Sequence, residues 1–219
     1  MHRIQVAARA AGRDERDITL LAVSKTWPAA AVRLAWEAGQ RAFGENYAQE
    51  GTQKAAELAG LGVEWHFIGP VQSNKSTLIA ATFGWVHSVG RLKIAERLSA
   101  ARMGGAPLDI CLQVNVSGEA SKSGVAPDAL AELAQAVTKL PNLRLRGLMT
   151  VPEAVEDTAA QRQPFAHLRE LRDQLAAQGI PMDTLSMGMS HDLEAAIAEG
   201  ATIVRVGTAI FGERAHESP

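Results

Sequence analysis

The sequence predicts a single closed (β/α)8 barrel of the TIM type. Short apolar runs alternate eight times with helical segments along 219 residues. Strict alternation of this kind indicates parallel βαβ units, and eight units in a chain of about this length are typical of a closed barrel. The alternative is an open doubly wound sheet. It would carry a Gly-x-Gly-x-x-Gly turn after its first strand, where this chain has Ser24-Lys25-Thr26.

Each element follows from the apolar pattern and its boundaries. Strands are predicted at residues 18–23, 42–47, 63–68, 85–89, 109–116, 143–149, 183–187 and 201–206. Helices are predicted at residues 4–11, 28–39, 48–61, 75–82, 91–101, 127–140, 158–178 and 191–199. Pro28 suits a helix start because its φ angle is fixed near the helical value. We see no linker or low-complexity tract, so residues 1–219 are predicted to form one domain.

The composition excludes several classes of function. Hydrophobic residues make up 47% of the chain, which is enough to bury a substantial core. The formal charge of −2, without a basic run, argues against a nucleic-acid partner. Cys111 is the only cysteine, so a disulfide framework is excluded. No apolar run approaches the roughly 20 residues that span a membrane, and no signal-peptide core is present. We therefore expect a cytoplasmic protein with no membrane partner.

Lys25 is the first candidate site residue. It ends a buried strand, where partial desolvation lets a lysine lose its proton and attack a carbonyl as an amine nucleophile. The alternative is a solvated lysine at a strand end. In barrels of this type the active site lies at the C-terminal ends of the strands, so Lys25 lies on the functional rim. Lys75 and Lys122 are candidate secondary contacts there, or solvated rim lysines.

The loops after strands seven and eight form a candidate phosphate site. Gly188 and Gly207 let backbone N–H groups approach an anion, and Ser190 and Thr208 add hydroxyl donors. Ser190 has the alternative role of N-cap for the helix predicted to begin after it.

Three charged residues near these loops complicate the prediction. Asp192 and Glu194 favour the helix dipole but would repel a nearby phosphate. Arg205 lies in an apolar strand and needs a partner if buried. We expect that partner inside the barrel mouth; the alternative is an outward Arg205 bound to a carboxylate such as Glu199.

A strand-one lysine opposite a phosphate site suggests pyridoxal 5′-phosphate (PLP). This cofactor needs a Schiff-base lysine, an anchored phosphate and a group facing the pyridine nitrogen. Arg205 in that position would disfavour protonation of the nitrogen and weaken the ring as an electron sink. A sugar phosphate, with Lys25 as an aldolase-type amine, is the alternative ligand. The histidines lack metal-ligand spacing, so no metal site is predicted.

Eight motifs spread over nearly the whole chain carry a family resemblance. They are Leu21-Ala22-Val23-Ser24-Lys25-Thr26, Phe43-Gly44-Glu45-Asn46-Tyr47, His66-Phe67-Ile68-Gly69, Gln72-Ser73-Asn74-Lys75, Lys122-Ser123-Gly124, Arg146-Gly147-Leu148-Met149, Ser186-Met187-Gly188-Met189-Ser190 and Arg205-Val206-Gly207-Thr208. Together they resemble the pyridoxal-phosphate homeostasis proteins, which are single-domain relatives of the alanine racemase barrel (fold type III of PLP proteins).

The resemblance implies a set of cofactor-binding residues. Lys25 would form the Schiff base with PLP, and Asn46 would lie near the ring. Ser190, Gly207 and Thr208 would hold the phosphate, and Arg205 would face the pyridine nitrogen. Ser186, which opens the motif after strand seven, completes the set. Two departures from the family pattern are a shorter first helix and His191 in place of an acidic residue, which could make the local charge pH-dependent.

The resemblance implies a carrier in vitamin B6 homeostasis. Racemases of this fold need two opposed bases, one of them from a second, β-rich domain. The chain ends soon after strand eight, and Tyr47 is its only tyrosine. We therefore expect a monomer without catalytic residues that buffers PLP or delivers it to apo forms of PLP-dependent enzymes. The alternative is a weak or specialised racemase-type enzyme with an unidentified second base.

Overall fold

Eight parallel strands close into a barrel in the computed structural model, which describes residues 1–118 and 123–213. The strands pair in sequence order, and β8 pairs with β1. They are β1 Thr19–Val23, β2 Ala42–Glu45, β3 Glu64–Phe67, β4 Trp85–Val89, β5 Leu108–Gln113, β6 Leu143–Met149, β7 Thr184–Ser186 and β8 Ile203–Val206. The predicted (β/α)8 fold is confirmed.

Helices alternate with the strands around the barrel. They are α1 His2–Ala10, α2 Ala29–Glu37, α3 Ala48–Glu57, α4 Ser76–Thr82, α5 Leu92–Ala101, α6 Leu130–Val137, α7 Thr158–Ala177, α8 Leu193–Ala198 and α9 Thr208–Phe211. Short 3-10 turns occupy Glu15–Asp17, Ser73–Lys75 and Pro127–Ala129. Across the described ranges, no helix combines the length and apolarity that a membrane crossing requires.

Several element boundaries differ from the predictions. β4 and β6 have the predicted bounds, whereas β5 ends at Gln113 because Val114 makes only an isolated bridge, to Val125. α8 begins at Leu193 instead of residue 191. α9 was not predicted at all, because four residues are too few to show a helical period.

The interior of the barrel is not purely apolar. His66, His87, Ser186 and Arg205 lie on four different strands, are all buried, and form hydrogen bonds with one another across the interior. Strands of a parallel sheet are buried on both faces, so the apolar pattern cannot show which residues point inward.

Closure of the barrel brings the loop after β1 next to the loop after β8. β1 pairs with β8 in a register that places Leu21 beside Arg205 and Ala22 beside Val206. Because the strands are parallel, the loop that carries Lys25 and the loop that follows Val206 leave the barrel side by side. The predicted Schiff-base lysine and the predicted phosphate loop are therefore neighbours.

Candidate functional site

A cavity of about 400 Å³ opens at the C-terminal ends of the strands. This volume lies within the range of small-molecule sites. It is lined by Val23, Lys25, Trp27, Asn46, Ile68, Met149, Val151, Met189, Ser190, His191, Arg205, Gly207, Thr208 and Gly212. Six of the seven predicted site residues therefore meet in one cavity. The seventh, Ser186, does not line it.

Helix α3 holds the loop that presents Lys25. The Lys54 ammonium donates to the backbone oxygen of Ser24 at 2.7 Å, and the backbone N–H of Thr26 donates to the Glu50 carboxylate at 2.5 Å. Thr26 has a φ of 68°, a left-handed conformation that a β-branched residue adopts only when its surroundings impose it. Contacts on both sides of Lys25 thus fix the direction in which the loop leaves β1.

A buried ion pair, which was not predicted from the sequence, lies beneath this loop. The Lys54 ammonium is 2.8 Å from Glu45 Oε1, which also accepts a hydrogen bond from the Ser24 hydroxyl at 2.6 Å. Burial raises the pKa of the Glu45 carboxyl, and its hydrogen bonds to Lys54 and Ser24 only partly oppose this. The four-residue spacing of Glu50 and Lys54 is typical of an ion pair on one helix face, but this spacing does not show that the face is buried.

Arg205 points into the barrel, as expected. Its guanidinium donates to the Ser186 backbone oxygen at 2.7 Å, to the Ser186 hydroxyl at 2.8 Å and to the Thr150 backbone oxygen at 2.8 Å. Burial lowers the pKa of Arg205 to about 10, so the group stays charged at neutral pH. The outward alternative is wrong, because Glu199 instead pairs with two arginines of α7.

Ser186 lies below the cavity and not at its surface. Its side chain is fully buried, and its hydroxyl contacts Arg205 and His87. The prediction that Ser186 directly contacts a cofactor is therefore not supported by its position.

The loop after β7 is held by the carboxylate of Asp192, which lies within it. The Asp192 carboxylate accepts a hydrogen bond from the Met189 backbone N–H at 2.5 Å. Because α8 begins at Leu193 with Asp192 as its N-cap residue, the proposed alternative of Ser190 as N-cap is wrong. Gly188 has a φ of 91°, and an added Cβ there would lie 2.5 Å from the Ala196 side chain, so the loop requires glycine at this position.

Both acidic residues near the candidate phosphate site have partners. Arg3 on α1 makes a two-point contact with Glu194, with both distances at 2.7 Å, and also donates to the Ser190 backbone oxygen at 2.8 Å. The hydrogen bond from Arg3 lowers the pKa of the Glu194 carboxyl. The buried Asp192 lies 3.2 Å from His191 Nε2. The repulsion of phosphate by Glu194 is therefore reduced, although the half-exposed Arg3 pair contributes little to stability.

Asn46 combines a place in the cavity wall with an unpaired side-chain acceptor. Its side-chain oxygen is buried and has no hydrogen-bond partner within the described residues, while the residue lines the cavity wall. The Asn46 backbone packs tightly against Gly69, where an added Cβ would lie 2.1 Å from the Asn46 backbone oxygen. A buried acceptor without a partner is costly, so a ligand that donates to Asn46 would relieve that cost.

Trp27 forms part of the cavity wall, whereas neither candidate secondary lysine does so within the described residues. Trp27 lines the cavity and stacks on Phe211 of α9, with ring centroids 5.8 Å apart. This part of the cavity wall was not predicted from the sequence, because α9 is too short to show a helical period. Lys75 is half-buried and does not line the cavity, whereas Lys122 lies outside the described residues.

The chain is similar to several known proteins. A family model described as "Alanine racemase, N-terminal domain" matches residues 1–215. A "Pyridoxal phosphate homeostasis protein" of Pseudomonas aeruginosa is 64% identical over 218 residues, 99% of this chain and 94% of that protein. The structure of PipY from Synechococcus elongatus, solved with PLP bound, is 38% identical, with a TM-score of 0.84 and coverage of 95% and 100%.

A more distant likeness concerns the fold alone. Alanine racemase from Corynebacterium glutamicum is 16% identical, with a TM-score of 0.69. The match covers 100% of this chain and 61% of the racemase. At this level of identity the likeness shows the barrel fold alone.

Proposed function

The chain belongs to the family of alanine racemase N-terminal domains, and we propose that it binds pyridoxal 5′-phosphate and holds it as a Schiff base on Lys25. One observation carries the proposal: Lys25, Arg205 and the loops with Ser190 and Thr208 surround a single cavity. The name of the Pseudomonas aeruginosa relative and the PLP bound to PipY support the choice of ligand.

The residues of the cavity fit the cofactor group by group. PLP supplies an aldehyde, which condenses reversibly with a primary amine. Lys25 provides the amine, and Ser190, Gly207 and Thr208 provide the anion side of the cavity. The unpaired oxygen of Asn46 can accept from a ligand hydroxyl. Apolar side chains such as those of Val23, Ile68 and Met149 are suited to the faces of an aromatic ring.

We propose further that the protein stores and releases PLP without robust catalysis. Arg205 can only donate hydrogen bonds and remains charged, so a ring nitrogen that faces it must stay unprotonated. An unprotonated ring withdraws electrons weakly, which slows substrate chemistry. In this proposal a cytoplasmic monomer supplies vitamin B6 cofactor to apo forms of PLP-dependent enzymes and needs no nucleic acid or membrane.

Binding to Lys25 is tested by trapping. Purified protein freed of cofactor and then mixed with one equivalent of PLP is expected to develop the visible absorption band of a Schiff base. Borohydride reduction should fix the label, and peptide mass spectrometry should place it on the peptide with Lys25. Lys93, an exposed lysine of α5, serves as the internal control and should remain unlabelled. A label spread over surface lysines would contradict the proposed site.

The absence of robust turnover is tested by α-proton exchange. PLP-loaded protein is incubated with L-amino acids in deuterated water, and exchange is followed by proton NMR. We expect exchange no faster than with the same concentration of free PLP, because the charged Arg205 disfavours protonation of the ring. Rapid exchange would instead identify a racemase-type enzyme.

A further inference from the structure

A chain of polar side chains crosses the barrel beneath the cavity, from Arg205 on β8 to Glu64 at the start of β3. Arg205 Nη1 lies 2.8 Å from Ser186 Oγ, which lies 2.8 Å from His87 Nδ1. His87 Nε2 lies 2.8 Å from His66 Nδ1, and His66 Nε2 lies 3.1 Å from Glu64 Oε1. All members except the half-exposed Glu64 are buried.

The two ends determine the direction of every hydrogen bond in this chain. A guanidinium has no acceptor, so the Ser186 oxygen must accept from Arg205; an ionised carboxylate has no donor, so His66 Nε2 must donate to Glu64. With both rings neutral, these two ends require the Ser186 hydroxyl to donate to His87 Nδ1. A neutral His87 then carries its proton on Nε2 and donates to His66 Nδ1. His66 in turn carries its proton on Nε2 and donates to the Glu64 carboxylate.

The charge states agree with this direction. Burial lowers the pKa of both His66 and His87, so both rings are neutral at pH 7. The hydrogen bond from His66 lowers the pKa of the Glu64 carboxyl, which keeps that group ionised. The order serine, histidine, carboxylate also occurs in nucleophilic sites. Ser186, however, is fully buried beneath the cavity and cannot reach a substrate.

We propose that Ser186, His87 and His66 are positioning residues that hold Arg205 as a fixed hydrogen-bond donor at the floor of the cavity. His87 is the central member, because it turns the hydrogen of the Ser186 hydroxyl away from Arg205. Without His87 that hydrogen can rotate toward the guanidinium, so that two donors face each other. The proposal rests on the proposed function only in taking the ring of PLP as the group that Arg205 faces.

The direction of these hydrogen bonds is tested on the ligand-free protein. Long-range proton–nitrogen NMR of histidine-labelled protein at pH 7 reports which ring nitrogen carries the proton, with signals assigned from single-histidine variants. We expect both His66 and His87 to be protonated on Nε2 only. A proton on Nδ1 of either ring, or on both nitrogens, would overturn the proposed direction of the hydrogen bonds.

The positioning role is tested with two substitutions of His87. In His87→Asn the amide oxygen can replace Nδ1 as the acceptor for Ser186, whereas His87→Leu provides no acceptor. The separate Nη proton signals of a held Arg205 are expected to merge in His87→Leu and to persist in His87→Asn. The Kd for PLP is expected to rise about tenfold in His87→Leu and to stay within about twofold of wild type in His87→Asn.

The same substitutions at His167, which lies on α7 and takes no part in these hydrogen bonds, are the matched control and should change neither readout. Equal losses of PLP affinity in His87→Asn and His87→Leu would show that His87 acts only through packing. No loss of affinity in either variant would show that His87 does not position Arg205. Both results overturn the proposal. If wild-type protein does not bind PLP, the proposed function fails. The histidine tautomers and the Arg205 signals still test whether the hydrogen bonds run as proposed and hold Arg205.

Discussion

Replacing Lys25 by alanine is expected to abolish the Schiff-base band that the wild-type protein develops with PLP. Among the lysines that the structure describes, Lys25 alone lines the cavity, so no other described amine is placed to react there. The loops with Ser190 and Thr208 remain, and residual non-covalent binding is expected. We expect retention of PLP to fall by about 100-fold, which corresponds to about 2.7 kcal/mol. Absorbance titration and equilibrium dialysis measure the two effects separately.

The matched control is Lys93→Ala on the surface of α5, which should keep both the band and the affinity. Folding of Lys25→Ala is checked by its thermal unfolding midpoint. The contacts that Ser24 and Thr26 make with α3 are kept in this variant, so we expect it to unfold cooperatively, as the wild-type protein does. A band of unchanged intensity in Lys25→Ala would place the Schiff base elsewhere and refute the central proposal.

Lys54→Met is expected to be the most destabilising substitution near the site. It removes the cation from a buried pair and leaves Glu45, fully buried, without a charged partner. Breaking such a pair costs about 3–5 kcal/mol of unfolding free energy. Urea unfolding at pH 8, followed by circular dichroism, measures the loss. The loop that carries Lys25 loses its contact with α3 at the same time, so weaker PLP binding is also expected.

The loss should depend on pH. The pKa of Glu45 is already raised by burial, and removal of Lys54 raises it further. A carboxyl whose pKa is higher in the folded than in the unfolded protein takes up a proton on folding, so its ionisation destabilises the fold as the pH rises above the unfolded pKa of about 4.3. Lys54→Met should therefore be closer to wild type at pH 5 than at pH 8.

Two further variants separate charge from packing. The double variant Lys54→Met with Glu45→Leu should recover most of the stability, because an apolar pair of similar size can replace a buried ion pair. Glu50→Gln should cost less than Lys54→Met, because Glu50 is partly exposed. Lys54→Met with wild-type stability at pH 8 would show that the buried pair is not needed.

The fold was largely readable from the sequence. Strands buried on both faces produce continuous apolar runs, and β4 and β6 were predicted with their observed bounds. The end of β5 and the start of α8 were misplaced because local contacts end these elements: the bridge of Val114 to Val125 and the hydrogen bond of Asp192 to Met189. Such contacts depend on the folded loop and leave no periodic signal.

The sequence by itself determined which residues lie at the ligand-facing end of the barrel. Parallel strands carry their polar C-terminal ends to one side, so Lys25, Asn46, Ser190 and Thr208 could be assigned to a single rim. For His66, His87 and Ser186, the direction of the side chain was decided only by the tertiary structure, because both faces of each strand are buried. His87 and Ser186, which are 99 positions apart, meet only when the barrel closes. The partners of Arg205 were therefore invisible in the sequence.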